Sequence, residues 1–246
     1  MILQKVGLPT ASSRIDTPRR VTRRQELARR RSDNKDKHLP PRLVLASGSP
    51  RRLALLAQVG ITPDALRPAS IDETPRRGEM PRTLVSRLAR AKAETARDQI
   101  ADDEGLAEAV VLAADTAVAV GSRILGKPEV VEQAVASLEL LSGRAHKVFT
   151  GLCVISPDDR VRVRIVETRI RFKRLSRREM EAYIASREWR GKAGGYAIQG
   201  LAGCFVQKII GSYTNVVGLP LAETVGMLGP EGYSLYENWG SVAVLD

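Results

Sequence analysis

Cysteine is nearly absent from this chain. Two residues, Cys153 and Cys204, cannot build a disulfide framework or a four-ligand zinc site. Aromatic residues make up 4% of the sequence, too few for the stacking platforms that hold single-stranded nucleic acid. No apolar run reaches the roughly 18 residues of a membrane-spanning helix, which excludes such a helix. The only histidines are His38 and His146, which form no catalytic pair, and no Ser-His-Asp arrangement is visible. There is no internal repeat.

Positive charge is abundant but unevenly placed. Residues 1–42 hold twelve Lys/Arg against four Asp/Glu and carry +8 of the net +11, leaving +3 for residues 43–246. The basicity therefore belongs to a leader, and the nearly balanced body gives no reason to expect nucleic acid as its partner. The leader, residues 1–41, lacks the apolar core of a secretory signal and matches an organelle transit peptide only in composition. It reads as a disordered extension or as a translation start assigned too early. Gln25–Arg31 is its one short helix candidate.

Order is expected from Pro40-Pro41 onward. Arg42–Ala46 reads as a strand, broken by Ser47-Gly48-Ser49, and Pro50–Val59 as a helix with Ser49 as N-cap. Thr62–Pro68 is a second strand candidate, and Ser70–Gly78 a polar loop. Pro81–Ile100 carries Leu84, Val85, Leu88 and Ala89 on one helical face. Ala109–Val120 is an apolar strand that can turn back at Gly121-Ser122, and Pro128–Leu141 a helix. Lys147–Ile155 and Arg160–Lys173 read as paired strands around Pro157-Asp158-Asp159, with Val161, Val163 and Ile165 alternating against arginines. Ser176–Ala185 opens with a capping box. A glycine-rich stretch, Gly191–Gly203, precedes a strand at Cys204–Ile209, a loop at Gly211–Asn215 and a helix near Leu219–Leu228. Gly229–Asp246 reads as a loose extension. Alternating helices and strands with one antiparallel pair predict an α/β fold with a mixed sheet.

Several residues stand out chemically. Ser47–Arg52 joins a strand to a helix, and a helix N-terminus carrying Arg51 and Arg52 suits phosphate. The alternative is a capped surface helix with two solvated arginines. Asp115 is a lone carboxylate in an apolar run, costly to bury unless paired or metal-bound. Lys92 follows Leu88 on the apolar helical face and either snorkels or enters a charged pocket. Lys127 sits between Gly126 and Pro128, just ahead of a helix, well placed for an anion. Glu73 lies in a polar loop and would ordinarily be read as solvated. Gln199, in a stretch with three glycines within 193–200, has an amide that can read a base edge. Cys153 reads as core rather than nucleophile. Basic groups with a few carboxylates favour metal-assisted attack on a phosphate over acyl transfer.

These motifs occur together in a known order. Leu45-Ala46-Ser47-Gly48-Ser49-Pro50-Arg51-Arg52, Asp72-Glu73, Lys92-Ala93, Ala114-Asp115-Thr116, Gly126-Lys127-Pro128, Ala193–Gly200 and Asn215–Pro220 resemble the Maf family of nucleoside triphosphate pyrophosphatases over residues 42–228. The resemblance implies an α/β fold with a twisted mixed sheet, two lobes and a cleft, similar to the inosine triphosphate pyrophosphatases. It also implies a cytoplasmic enzyme using a divalent cation, Mg or Mn. The branch it resembles acts on dTTP and UTP, and there Arg51, Thr116 and Gln199 match positions tied to substrate choice. Asp115 matches the proposed proton acceptor. Glu73 is then the expected second carboxylate at the metal, and Ser49, Arg52, Lys92 and Lys127 the phosphate contacts. The partner implied is a nucleoside triphosphate, with no membrane, and a homodimer stays open. Turnover of modified pyrimidine triphosphates, or a non-enzymatic nucleotide-binding role in cell division, are the alternatives to weigh.

Overall fold

A computed structural model describes residues 41–233, so the readings made for the leader and for 234–246 lie outside the described residues. The strands are β1 (Leu43–Leu45), β2 (Ala65–Leu66), β3 (Val110–Val120), β4 (Arg123–Leu125), β5 (Ala145–Ile155), β6 (Val161–Phe172) and β7 (Val206–Ile210). The helices are α1 (Pro50–Gln58), α2 (Pro81–Gln99), α3 (Val131–Leu141), α4 (Arg177–Ala185), α5 (Tyr213–Val217) and α6 (Leu221–Leu228). The sheet runs β2-β1-β3-β5-β6-β7, with β4 also on β3. β1 is parallel to both neighbours and the remaining pairs are antiparallel, so the sheet is mixed, as the pattern predicts. Among the described residues no helix is long and apolar enough to cross a membrane.

The side-chain alternation of β3 organises the whole molecule. Val110, Leu112 and Ala114 face a core formed with α1 and α6, whereas Val118, two pleats past Ala114 on that face, joins a second core with α3, α4 and Trp189. On the opposite face Val111 and Ala113 pack against the C-terminal half of α2, and Ala117 and Ala119 against its N-terminal half. Asp115 and Thr116 fall between these cores, one on each face. The two packed halves on the α1/α3 side are the two lobes.

The structure departs from the sequence reading at particular places. The strand expected over Thr62–Pro68 shrinks to Ala65–Leu66, whose register is set by pairing with Val44 and Leu45. Helix α3 starts at Val131 rather than Pro128, because the Gln133 side chain takes the Glu129 N–H at 2.8 Å. Gly211–Asn215 is not wholly loop: Ser212 Oγ accepts from Asn215 N at 3.1 Å and starts α5. Val161 and Val163 remain 37% and 39% exposed, so the apolar face of β6 is not covered at that end. Residues 229–233 are held rather than loose: Arg162 donates to Glu231 at 2.6 Å, and the Tyr233 hydroxyl donates to the Pro41 carbonyl. An arginine on the sheet and an apolar ring beside the α6 core give this segment its attachments.

Candidate active site

The site lies at a gap in the sheet. β5 accompanies β3 along nearly its whole length, but on the other edge β1 pairs only up to Leu112 and β4 only from Val118. Between them residues 113–117 have no strand neighbour on that edge. Asp115 and Thr116, although on opposite faces, both line the cleft of about 380 Å³ that opens there. Its walls include the β1–α1 turn, Glu73, Lys92, Lys127, the glycine-rich segment and Gly218.

The β1–α1 turn is organised by Ser47. Its hydroxyl accepts from Ser49 N at 3.2 Å and from Arg52 Nη1 at 3.0 Å. Ser49 occupies the N-cap position but its side chain makes no capping bond, contrary to expectation, and it stays at the cleft wall. Arg52 is bound on three sides: Nε donates to Gly218 O at 2.9 Å, and Nη2 reaches Thr116 Oγ1 at 3.5 Å. Burial draws its pKa down from the usual value, with the Asp115 charge acting the other way. Arg51 is half-buried, also lowered by burial, and has no hydrogen-bond partner among the described residues.

Four charged groups form the centre. Lys92 Nζ donates to Asp115 Oδ1 and meets Glu73 Oε1, each at 2.6 Å, and Lys127 Nζ donates to Glu73 Oε2 at 2.7 Å. Lys92 and Asp115 are 8% and 6% exposed, so the lysine enters a charged pocket rather than snorkelling. The loop residue Glu73, unremarkable by position, is drawn into the centre by both lysines. Burial pushes its pKa up, but the hydrogen bonds and charges of Lys127 and Lys92 outweigh this and hold it at about 2. A carboxyl lowered on folding adds stability above its ordinary pKa, and that contribution fades as pH falls toward 2. The Tm gap between wild type and Glu73→Gln is therefore expected to shrink from roughly pH 6 to roughly pH 3. A gap that does not change with pH would show that these ion pairs do not form.

The glycine-rich segment forms the opposite wall. Gly194 has φ +69° and sits where an added Cβ would lie 2.9 Å from Val118, so only glycine fits there. The Tyr196 hydroxyl and buried His146 Nε2 are 2.8 Å apart, and burial lowers His146 to about 4, keeping it neutral and structural. Gln199 is exposed on the cleft wall with no hydrogen-bond partner among the described residues. Cys153 is buried, and its thiol is pushed up to about 12, which confirms a core role.

Two buried threonines, Thr150 and Thr168, were not read from the sequence as part of a site, and Asn215 was read only as the first residue of the Asn215–Pro220 motif. Thr116 Oγ1 and Thr150 Oγ1 are 2.9 Å apart, and Thr150 donates to Asn215 O at 3.2 Å. Asn215 Nδ2 donates to Thr168 Oγ1 at 2.9 Å and to Val148 O at 3.2 Å. This chain fixes α5, whose end presents the Gly218 carbonyl to Arg52. The available signal was a threonine on the apolar face of each of two paired strands.

A family model described as Maf-like protein matches residues 42–230. A dTTP/UTP pyrophosphatase of Rhodopseudomonas palustris (strain BisB18) is 61% identical over 199 residues, covering 81% of this chain and 96% of the relative. One from Brucella abortus (strain 2308) is 62% identical over 200 residues, with the same coverages, 81% and 96%. Among solved structures, a HAM1 protein from Coxiella burnetii has 18% identity and a TM-score of 0.37, covering 56% of this chain and 75% of its own. The Staphylococcus aureus Ham1 protein has 15% identity and a TM-score of 0.36, with coverages of 53% and 71%.

Proposed function

The chain belongs to the Maf family, and from that premise we propose that it hydrolyses dTTP and UTP to the nucleoside monophosphate and pyrophosphate. The carrying observation is Asp115, a carboxylate in the gap of β3, hydrogen-bonded to Lys92 and open to a cleft rich in cationic groups. In this reading a water beside Asp115 attacks the α-phosphorus. Asp115 takes one proton of that water, the bond from the α-phosphorus to the bridging oxygen breaks, and pyrophosphate leaves with that oxygen. Arg52 supplies positive charge not matched by a carboxylate partner, whereas Lys92 and Lys127 are balanced by Asp115 and Glu73. Such catalysis is mostly positioning and charge stabilisation, which fits a site short of nucleophiles.

The donor set suits a divalent cation bound together with substrate. Mg²⁺ is commonly held by one or two carboxylates plus substrate phosphates and waters. Glu73 and Asp115 both reach the same ammonium at 2.6 Å, so both can face one cation. Among the described residues no group of three or more His, Cys, Asp or Glu could hold a metal by itself. A cation on Glu73 and Asp115 would supply charge neutralisation for the phosphates. Lys92 and Lys127, relieved of those carboxylates, are placed to donate to phosphate oxygens.

A panel of nucleoside triphosphates tests this reading through pyrophosphate release. The highest kcat/KM is expected for dTTP and UTP. Release from none of them, or a preference for 7-methyl-GTP, would overturn it.

A further inference from the structure

The cleft holds two kinds of polar group. Arg52, Lys92, Lys127, Glu73 and Asp115 are engaged with one another or with the backbone. Arg51 and Gln199 have no hydrogen-bond partner among the described residues, although both line the cleft. A third lining residue, Lys192, belongs with them. It is half-buried and forms no ion pair among the described residues. Its ammonium donates to the Glu188 carbonyl and, at 3.4 Å, to the Arg190 carbonyl. An ammonium has three donors, so one remains. The nearest acid by sequence, Glu188, spends its carboxylate on Leu201 N at 2.9 Å and Ala202 N at 3.3 Å. Burial draws the Lys192 pKa below its ordinary value, the Arg51 charge adds to this, and the Glu188 charge opposes it. Two cations with spare donors and an amide, all lining one cleft, suit an acceptor-rich ligand.

We propose that Lys192 reads the base, forming with Arg51 and Gln199 a donor–acceptor–donor set complementary to the carbonyl, N–H, carbonyl edge shared by uracil and thymine. The inference rests on the reading of the cleft as a pyrimidine triphosphate site. Lys192 donates to the carbonyl oxygen that cytosine replaces with an amino group, Arg51 to the carbonyl that cytosine keeps, and the Gln199 carbonyl accepts from the ring N–H. Cytosine presents an amino group and a bare ring nitrogen where uracil has a carbonyl and an N–H. A lysine next to that amino group is two donors facing each other, so the same set rejects CTP. A phosphate contact would make no such distinction, because every nucleoside triphosphate carries the same tail.

The test is kcat/KM for UTP, dTTP, CTP and GTP on wild type, Lys192→Met and Lys192→Arg. Loss of a charge-assisted hydrogen bond to the base is expected to cost roughly ten- to a hundredfold on UTP and dTTP. CTP should change little, so the UTP-to-CTP ratio falls by the same factor, and Lys192→Arg should recover part of it. The ratio is taken within one protein sample and is insensitive to the fraction that folds. An equal loss on all four nucleotides would overturn the proposal in favour of a phosphate or purely structural role, and an unchanged ratio would also overturn it. A wild type inactive on every nucleotide would instead overturn the underlying pyrophosphatase reading, and this inference with it.

Discussion

Replacing Asp115 with asparagine is expected to lower kcat for dTTP and UTP by about 10²–10⁴ while leaving nucleotide binding largely intact. The amide keeps the shape of the carboxyl group but cannot accept a proton from water. Packing around it is unchanged, because Ala113 and Ala117 on the same face of β3 touch α2 through their own methyl groups. Lys92 loses one 2.6 Å partner but keeps the other in Glu73, so its ammonium is not stranded. The loss should therefore fall on turnover, with KM and Tm moving far less. Steady-state kinetics with a parallel thermal melt checks this. A variant within a few-fold of wild type would remove Asp115 from the chemistry, and one whose Tm falls along with its turnover would make it a structural residue.

Gly151→Ala is expected to damage the site from behind. Gly151 lies opposite Asp115 in the β3–β5 register, on the face covered by α2. A Cβ there would sit 2.2 Å from the Val85 carbonyl oxygen and 2.6 Å from its carbon. Both are backbone atoms, so no rotamer change relieves the overlap, and the helix must move off the sheet. Overpacking a core costs about 1–3 kcal/mol and occasionally more, and a backbone obstacle places this case at the upper end. For a chain of this size that is a fall in Tm of roughly 6–12 °C. Val85 and Lys92 are two turns apart on the same helical face, so a displaced α2 also withdraws Lys92 from Asp115. Melting and kcat/KM should fall together, and an unchanged Tm would show that α2 does not pack as closely as described.

Much of this arrangement was legible before any coordinates. The long strand β3, the paired strands β5 and β6, and helices α2 and α4 follow from apolar period and capping chemistry within a single segment. Asp115 was conspicuous because a carboxylate inside an apolar run needs a reason. Lys92 was ambiguous because its alternatives differ only in what lies opposite, and Asp115 is 23 residues away in sequence. Glu73 gave no local signal: its depressed pKa comes from two lysines contributed by distant elements. Helix α5 spans five residues, too few to show a period, and its start is set by the Ser212 cap. Thr150, Thr168 and Asn215 look like ordinary strand and loop residues until β5, β6 and α5 are brought together. Lys192 is hidden between Gly191 and Ala193 as one more charge in a basic stretch, and only its half-burial at the cleft separates it from a solvated lysine.

Hydrolysis of UTP in ¹⁸O-labelled water identifies the phosphorus that water attacks. Attack of water on the α-phosphorus places the label in UMP and leaves the released pyrophosphate unlabelled, with no UDP or inorganic phosphate formed. Label in pyrophosphate, or UDP appearing with labelled phosphate, would mean that water attacks another phosphorus and that the cleft does not carry out the reaction proposed.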